Sequence, residues 1–386
     1  MTGTQMTWLA LPWFVLTTTG SARRMAFVMA AEAIGALVSG LPSGTLLARL
    51  GARRSMLVAD AARAPLLLAV PLCYWGGILS FPLLLALVFA AGAFSGPYFS
   101  AQRVIVPELV GEDERLVSQA TAFFQGATRI TMLLGPALAG VLIAAFSAPS
   151  VIVIDAATYV VSFVVVRAGV ARREVAPQAE EARGVAVGFR VIARDPLLRG
   201  WLVAFMAGDA AWTAFFVTVP FLVVHQYGAD PKIAGWILAA FGVGAVVGNV
   251  GSLRVTQRFD ALLIASVAVL GQALPLWVLS ARIPAAAVAA TIFVSGVANG
   301  FANPSIHALL TLRVPPALRP KVVAAATTIF VVSAPIGLFI AGPALDALGA
   351  HPVLVGFALV QTVSMAAVAT IGLRARAARS LALEAA

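Results

Sequence analysis

The 386 residues are 61% hydrophobic and only 11% charged, with a mean hydropathy of +0.98, whereas an ordinary soluble domain is about a quarter charged. That excludes a water-soluble fold, and a net charge of +10 scattered between apolar runs, with no basic face interleaved with aromatics, argues against nucleic-acid binding. The lone cysteine, Cys73, excludes an intramolecular disulfide and a multi-cysteine metal site.

In chain order, apolar stretches of bilayer-spanning length are separated by short Arg-bearing loops. The first run, Met6 to Thr19, has no basic region before it and reads as a helix rather than a cleavable leader. At 14 residues, or about 21 Å against a hydrocarbon core of about 30 Å, it looks truncated, so the natural chain is expected to begin roughly 10 to 20 residues upstream, or else this form to fold poorly. Further helices are expected near 24–47, 55–76, 80–101, 117–145 and 151–166. After a polar linker, six more follow near 200–224, 233–253, 261–280, 285–310, 322–347 and 352–373. The fold class is therefore an all-α membrane protein with twelve segments. Its expected divisions are an N-terminal bundle over 1–166, a cytoplasmic linker with an amphipathic segment over 167–199, and a C-terminal bundle over 200–386. Alternate loops hold 20 basic residues on one side and only Arg23, Arg24, Lys232 and Arg282 on the other, which puts both termini in the cytoplasm. Anionic headgroups of the membrane lipids account for the basic excess.

The second half repeats the first. A shift of 207 matches Phe94, Pro97, Thr121, Phe123, Gly135 and Pro136 with Phe301, Pro304, Thr328, Phe330, Gly342 and Pro343 without a gap, and a shift of 208 places Pro12 on Pro220 and Gly20 on Gly228. Two parallel six-helix repeats are a known transporter plan, with substrate bound near the midplane between them.

Ionisable residues inside the membrane are the strongest functional pointers, because each is costly unless it is paired or faces water. Arg129 and Asp209 fall closest to mid-depth, Glu32 about a third of the way in from the outside, and Asp155 near an outer helix end, where it reads as a cap. Asp209 is the expected proton-coupling acid, with Glu32 tuning recognition of cations and Arg129 a cation that could meet Asp209 across the two halves. His307 reads as a packing residue. The chain has no Walker loop for ATP and no nucleophile constellation, so neither an enzyme nor a cofactor is expected.

Between the second and third helices the chain reads Gly44-Thr-Leu-Leu-Ala48-Arg49-Leu50-Gly51-Ala52-Arg53-Arg54. This resembles the signature loop of the major facilitator superfamily, with Ala48 where the family carries Asp. Gly51 would permit a tight turn, and the arginines would bridge to acidic helix ends when the cytoplasmic side is closed. Asp60 and Arg63, three residues apart, could replace the missing ionic partner. The stretches Asp60-Ala-Ala-Arg63-Ala64, Gly135-Pro136-Ala-Leu-Ala-Gly140, Asp155 to Phe163 and Gly188 to Arg199 narrow the resemblance to the bacterial enterobactin-exporter and macrolide-efflux branch. Gly135, Pro136 and Gly140 resemble that branch's helix-packing motif. What the resemblance implies is a monomeric inner-membrane antiporter that expels small amphipathic or cationic molecules in exchange for protons. An uptake facilitator for a sugar or other metabolite is the second reading, and a membrane-embedded enzyme or sensor the third.

Overall fold

The computed structural model of the chain describes residues 2–40, 42–110, 114–171, 182–255, 257–312, 314–315 and 318–384. Among them the secondary structure is helical, with no strand. The helices are α1 (Thr2–Thr19), α2 (Ala22–Gly40), α3 (Ser43–Trp75), α4 (Phe81–Ala93), α5 (Ser95–Val110), α6 (Glu114–Phe146) and α7 (Ala148–Gly169). Then follow α8 (Ala182–Arg194), α9 (Pro196–Gln226), α10 (Pro231–Val255), α11 (Ala261–Ala273), α12 (Ala285–Leu312), α13 (Arg319–Leu348) and α14 (Ala350–Glu384). Among the described residues ten stretches are long and apolar enough to cross a bilayer. Outside that set lie the short α8, α1, with six threonines and a glutamine, and α2, which carries Arg23, Arg24 and Glu32.

Several breaks differ from the sequence expectation for identifiable reasons. Helix α3 begins at Ser43 and holds two helices joined at Gly51, whose φ of 76° and ψ of 163° suit a residue without a side chain. The turn foreseen in the signature loop is therefore present. The helix expected over 80–101 runs on to Val110 with an interruption at Phe94, giving α4 and α5. The stretch expected as one helix over 261–280 narrows to a 3₁₀ helix at Leu274–Ser280, where Pro275 removes a backbone donor.

The chain forms two compact units, Met1–Ala182 with Asp230–Gly235, and Arg183–Ala229 with Trp236–Ala386. Each contains the same helix order, and the repeat is visible in backbone detail. Gly20 and Gly228, which the shift of 208 superposes, end α1 and α9 with φ of 65° and 70°, and Pro12 and Pro220 lie inside those helices. In the first unit α2 and α4 touch through backbone: a Cβ on Gly92 would lie 2.2 Å from the carbonyl oxygen of Glu32, and one on Gly35 2.3 Å from that of Phe89. In the second unit Gly296 stands in the same way 2.3 Å from the Phe241 oxygen and Gly244 2.2 Å from that of Phe293. Gly92 and Gly296 are 204 apart in sequence, so the ungapped shift of 207 is off here by three residues, nearly one helical turn.

Each unit also joins its first and last membrane helices by a buried polar residue. Asp155 on α7 meets α1, whereas Gln361 on α14 donates through Nε2 to the Gly208 carbonyl on α9 at 2.6 Å. In the second unit, α8 docks on α13: Ile192 is buried, and a Cβ on Gly188 would lie 2.0 Å from the Lys321 oxygen.

Candidate functional site

Helix α9 carries Asp209 near its middle, and the spacing of three and seven residues puts Trp212 and Phe216 on the same face. The carboxylate accepts a hydrogen bond from the Ser333 hydroxyl of α13, and no charged side chain of the described residues bears on it. Trp212 anchors an aromatic wall. Its ring centroid is 4.7 Å from that of Phe241, 5.2 Å from Phe357, 5.5 Å from Phe215 and 6.3 Å from Phe216. Two polar atoms on these turns are buried and unpartnered, the Trp212 indole N–H and the Gln361 Oε1, and such orphans are rare enough to mark where a ligand or water belongs. An isolated carboxylate beside aromatic faces, with one spare donor and one spare acceptor, can hold an amphipathic cation.

The first unit gathers a second set of polar groups. Asp60 and Arg63 on α3 and Asp155 on α7 are 0%, 2% and 0% exposed. Ser162 donates to Asp60 Oδ2 at 2.6 Å, and Thr7 donates to Asp155 Oδ2 at 2.6 Å. The Arg63 guanidinium lies over the Tyr159 ring at 4.3 Å, and Tyr159 shares a 2.8 Å hydrogen bond with Thr4. Glu32, half-buried on α2, lies within electrostatic reach of Arg63 and Asp155. Asp155 sits two turns inside α7 rather than at its end, so it is no helix cap. Asp60 and Arg63 make no direct salt bridge: Asp60 Oδ1 and Arg63 Nε are both buried without a partner.

The signature loop is organised by Arg53. Its Nε donates to the Val170 carbonyl at 2.7 Å and its Nη2 to the Arg167 carbonyl at 2.8 Å, so it reaches a helix end through backbone oxygens rather than a carboxylate. Carbonyls there lack intrahelical partners and carry the negative end of the helix dipole. Arg49 and Arg54 are exposed and make no ion pair among the described residues. In the second unit the corresponding loop is tied the opposite way, by Asp260 to Arg376 on α14 at 3.5 Å.

The packing motif also has a partner. Within the first unit a Cβ on Gly135 would lie 2.3 Å from Gln5 Cβ, and one on Gly140 would lie 2.6 Å from the Pro231 oxygen. Arg129 falls on α6 and His307 on α12, but their side chains lie outside the described residues, as do the surroundings of Gly44. Sequence reading missed Trp212, Ser333, Gln361, Tyr159, Thr7 and Ser162. An unpaired Ser, Thr or Gln in an apolar helix was the available signal, and hydroxyls there commonly satisfy themselves on their own backbone.

The chain is 28% identical over 363 residues to the multidrug efflux pump Tap of Mycobacterium tuberculosis, covering 91% of this chain and 85% of that protein. It is 26% identical to the multidrug efflux pump Tap of Mycolicibacterium fortuitum, covering 92% and 89%. The crystal structure of the nucleoside transporter NupG superposes with a TM-score of 0.72 at 14% identity over 96% of both chains, a likeness that concerns the fold alone. The family model described as Major Facilitator Superfamily matches residues 1–324 and, in a second match, 209–384. With two six-helix repeats and multiple membrane-spanning helices, this chain is a transporter of the Major Facilitator Superfamily.

Proposed function

We propose that this chain is a secondary exporter of small amphipathic or cationic compounds in the bacterial inner membrane, driven by protons entering in exchange. The carrying observation is Asp209, an acid in mid-helix held by a neutral hydroxyl and set beside the Trp212 aromatic wall. A carboxylate in such surroundings can hold either a proton or an organic cation, and their mutual exclusion is the simplest form of antiport. Kinship with the Tap efflux pumps supports the direction of transport. Glu32 tunes recognition of the cation, and Arg129 completes the charged coupling set. Gly44, Arg49, Gly51, Arg53, Arg54, Asp60 and Arg63 serve the cytoplasmic gate, with Arg49 and Arg54 available to pair in the closed state. Gly135, Pro136 and Gly140 let helices approach where the bundles move. The functional unit is a monomer, with both termini cytoplasmic and residues 167–199 connecting bundles 1–166 and 200–386.

The test is Asp209→Asn in proteoliposomes. Substrate-for-substrate counterflow should survive, because asparagine keeps the side chain's shape beside the aromatic wall, while accumulation driven by a proton gradient disappears. Full gradient-driven accumulation by Asp209→Asn would assign the coupling elsewhere.

A further inference from the structure

The first unit contains a buried charge count that does not balance. Around Arg63 stand Glu32 from α2, Asp60 from α3 and Asp155 from α7. The remaining neighbours among the described residues are neutral: Tyr98 on α5, whose hydroxyl is 3.4 Å from Ser162, Thr158, Tyr159 and Ser162 on α7, and Thr4 and Thr7 on α1. Among the described residues three carboxylates face the single cation Arg63, and two of them, Asp60 and Asp155, are fully buried. An unbalanced ionised carboxylate at 0% exposure is too costly to persist. A metal ion does not resolve this, since no group of three or more carboxyl, histidine or cysteine residues among those described is disposed to hold one.

The position of Arg63 is equally informative. Its guanidinium rests on the Tyr159 ring at 4.3 Å rather than on a carboxylate, and its Nε is unpartnered, as is Asp60 Oδ1. A cation held by an aromatic face keeps its charge offset weakly and stays free to swing between competing anions. Meanwhile Asp60 and Asp155 are each held by a hydroxyl, Ser162 and Thr7 respectively, at 2.6 Å.

We propose that Arg63 is the hub of a second proton-exchange site lying wholly inside the first unit, in which either Asp60 or Asp155 carries the proton left over by the charge count. Arg63 turns toward whichever carboxylate is unloaded, and Glu32 connects the site to the helix face it occupies on α2. Asp209 is then not the sole acid that loads and unloads, and more than one proton is exchanged per cycle. This rests on the proton-exchange reading, but its test reads protonation rather than transport, so the two can fail separately.

The experiment is infrared spectroscopy of the purified full chain in lipid nanodiscs, following the C=O stretch of protonated carboxyl groups and its shift in heavy water. The band should persist in Asp209→Asn, weaken in Asp60→Asn or Asp155→Asn, and gain intensity in Arg63→Gln as another carboxyl takes up a proton. Thr7→Ala and Ser162→Ala leave every charge in place and remove one hydrogen bond each, so they should shift the band's frequency even if the charge variants do not fold. Loss of the whole band in Asp209→Asn would overturn the proposal. So would a band that persists there but does not respond to Thr7→Ala, Ser162→Ala or any folded variant of the cluster.

Discussion

Arg53 joins the signature loop to the end of α7 by two hydrogen bonds of 2.7 and 2.8 Å. Charge-assisted bonds to helix-end carbonyls contribute about 1 to 2 kcal/mol. Arg53→Ala should therefore lower the apparent unfolding temperature of the purified protein by a few degrees, and Arg53→Lys, which loses the planar fork, should recover only part of that. An unchanged transition in Arg53→Ala would make the contact incidental. At the aromatic wall, Trp212→Ala should weaken binding of a planar organic cation roughly tenfold, the scale of one cation–π contact, and Trp212→Phe should retain most of the affinity; equilibrium dye binding by fluorescence measures both. Equal binding by all three proteins would remove Trp212 from the site. Legibility divides along the same lines. Asp209, Glu32 and Asp155 stand out in sequence because an acid in an apolar run demands an explanation. Tyr159, Ser333 and Gln361 do not, since their residue types are common in membrane helices and only tertiary packing brings them to a charge.

Between helices the decisive feature is the seating of backbone on backbone. A Cβ on Gly92 would fall 2.2 Å from the Glu32 oxygen, whereas one on Gly126 meets nothing within 4 Å. Gly92→Ala and Gly126→Ala are the same chemical change, yet the first must force α2 and α4 apart at about 1 to 3 kcal/mol and the second should be neutral or slightly stabilising, since alanine favours helix by about 1 kcal/mol. Thermal unfolding of the two purified variants checks this, and an equal response would mean that the close approach of α2 and α4 is dispensable. Helix existence was readable from apolar runs, but ends were not. The interruption at Phe94, the 3₁₀ segment at Leu274–Ser280 and the start of α3 at Ser43 depend on local backbone hydrogen bonding, which hydropathy does not report. The repeat was readable too, but its register in α4 and α12 slipped by three residues, because matching Phe and Pro cannot detect which glycines face a neighbouring carbonyl.

For the whole molecule, two six-helix repeats were foreseen from the matched Pro12 and Pro220 and the matched Gly20 and Gly228, and the backbone bears them out. Direction and energy source are different matters, because the same fold belongs to a nucleoside transporter and family membership constrains neither. The proposal of proton-driven export rests on an acid beside an aromatic wall and on similarity to the Tap efflux pumps. The most direct measurement is uptake of a lipophilic cationic dye into everted membrane vesicles carrying this protein, whose lumen corresponds to the outside of the cell. With the lumen acid, the dye should accumulate above its external concentration, and an added ionophore that collapses the pH gradient should release it. Vesicles that only equilibrate the dye, or that accumulate it equally with and without the gradient, would contradict proton-driven export.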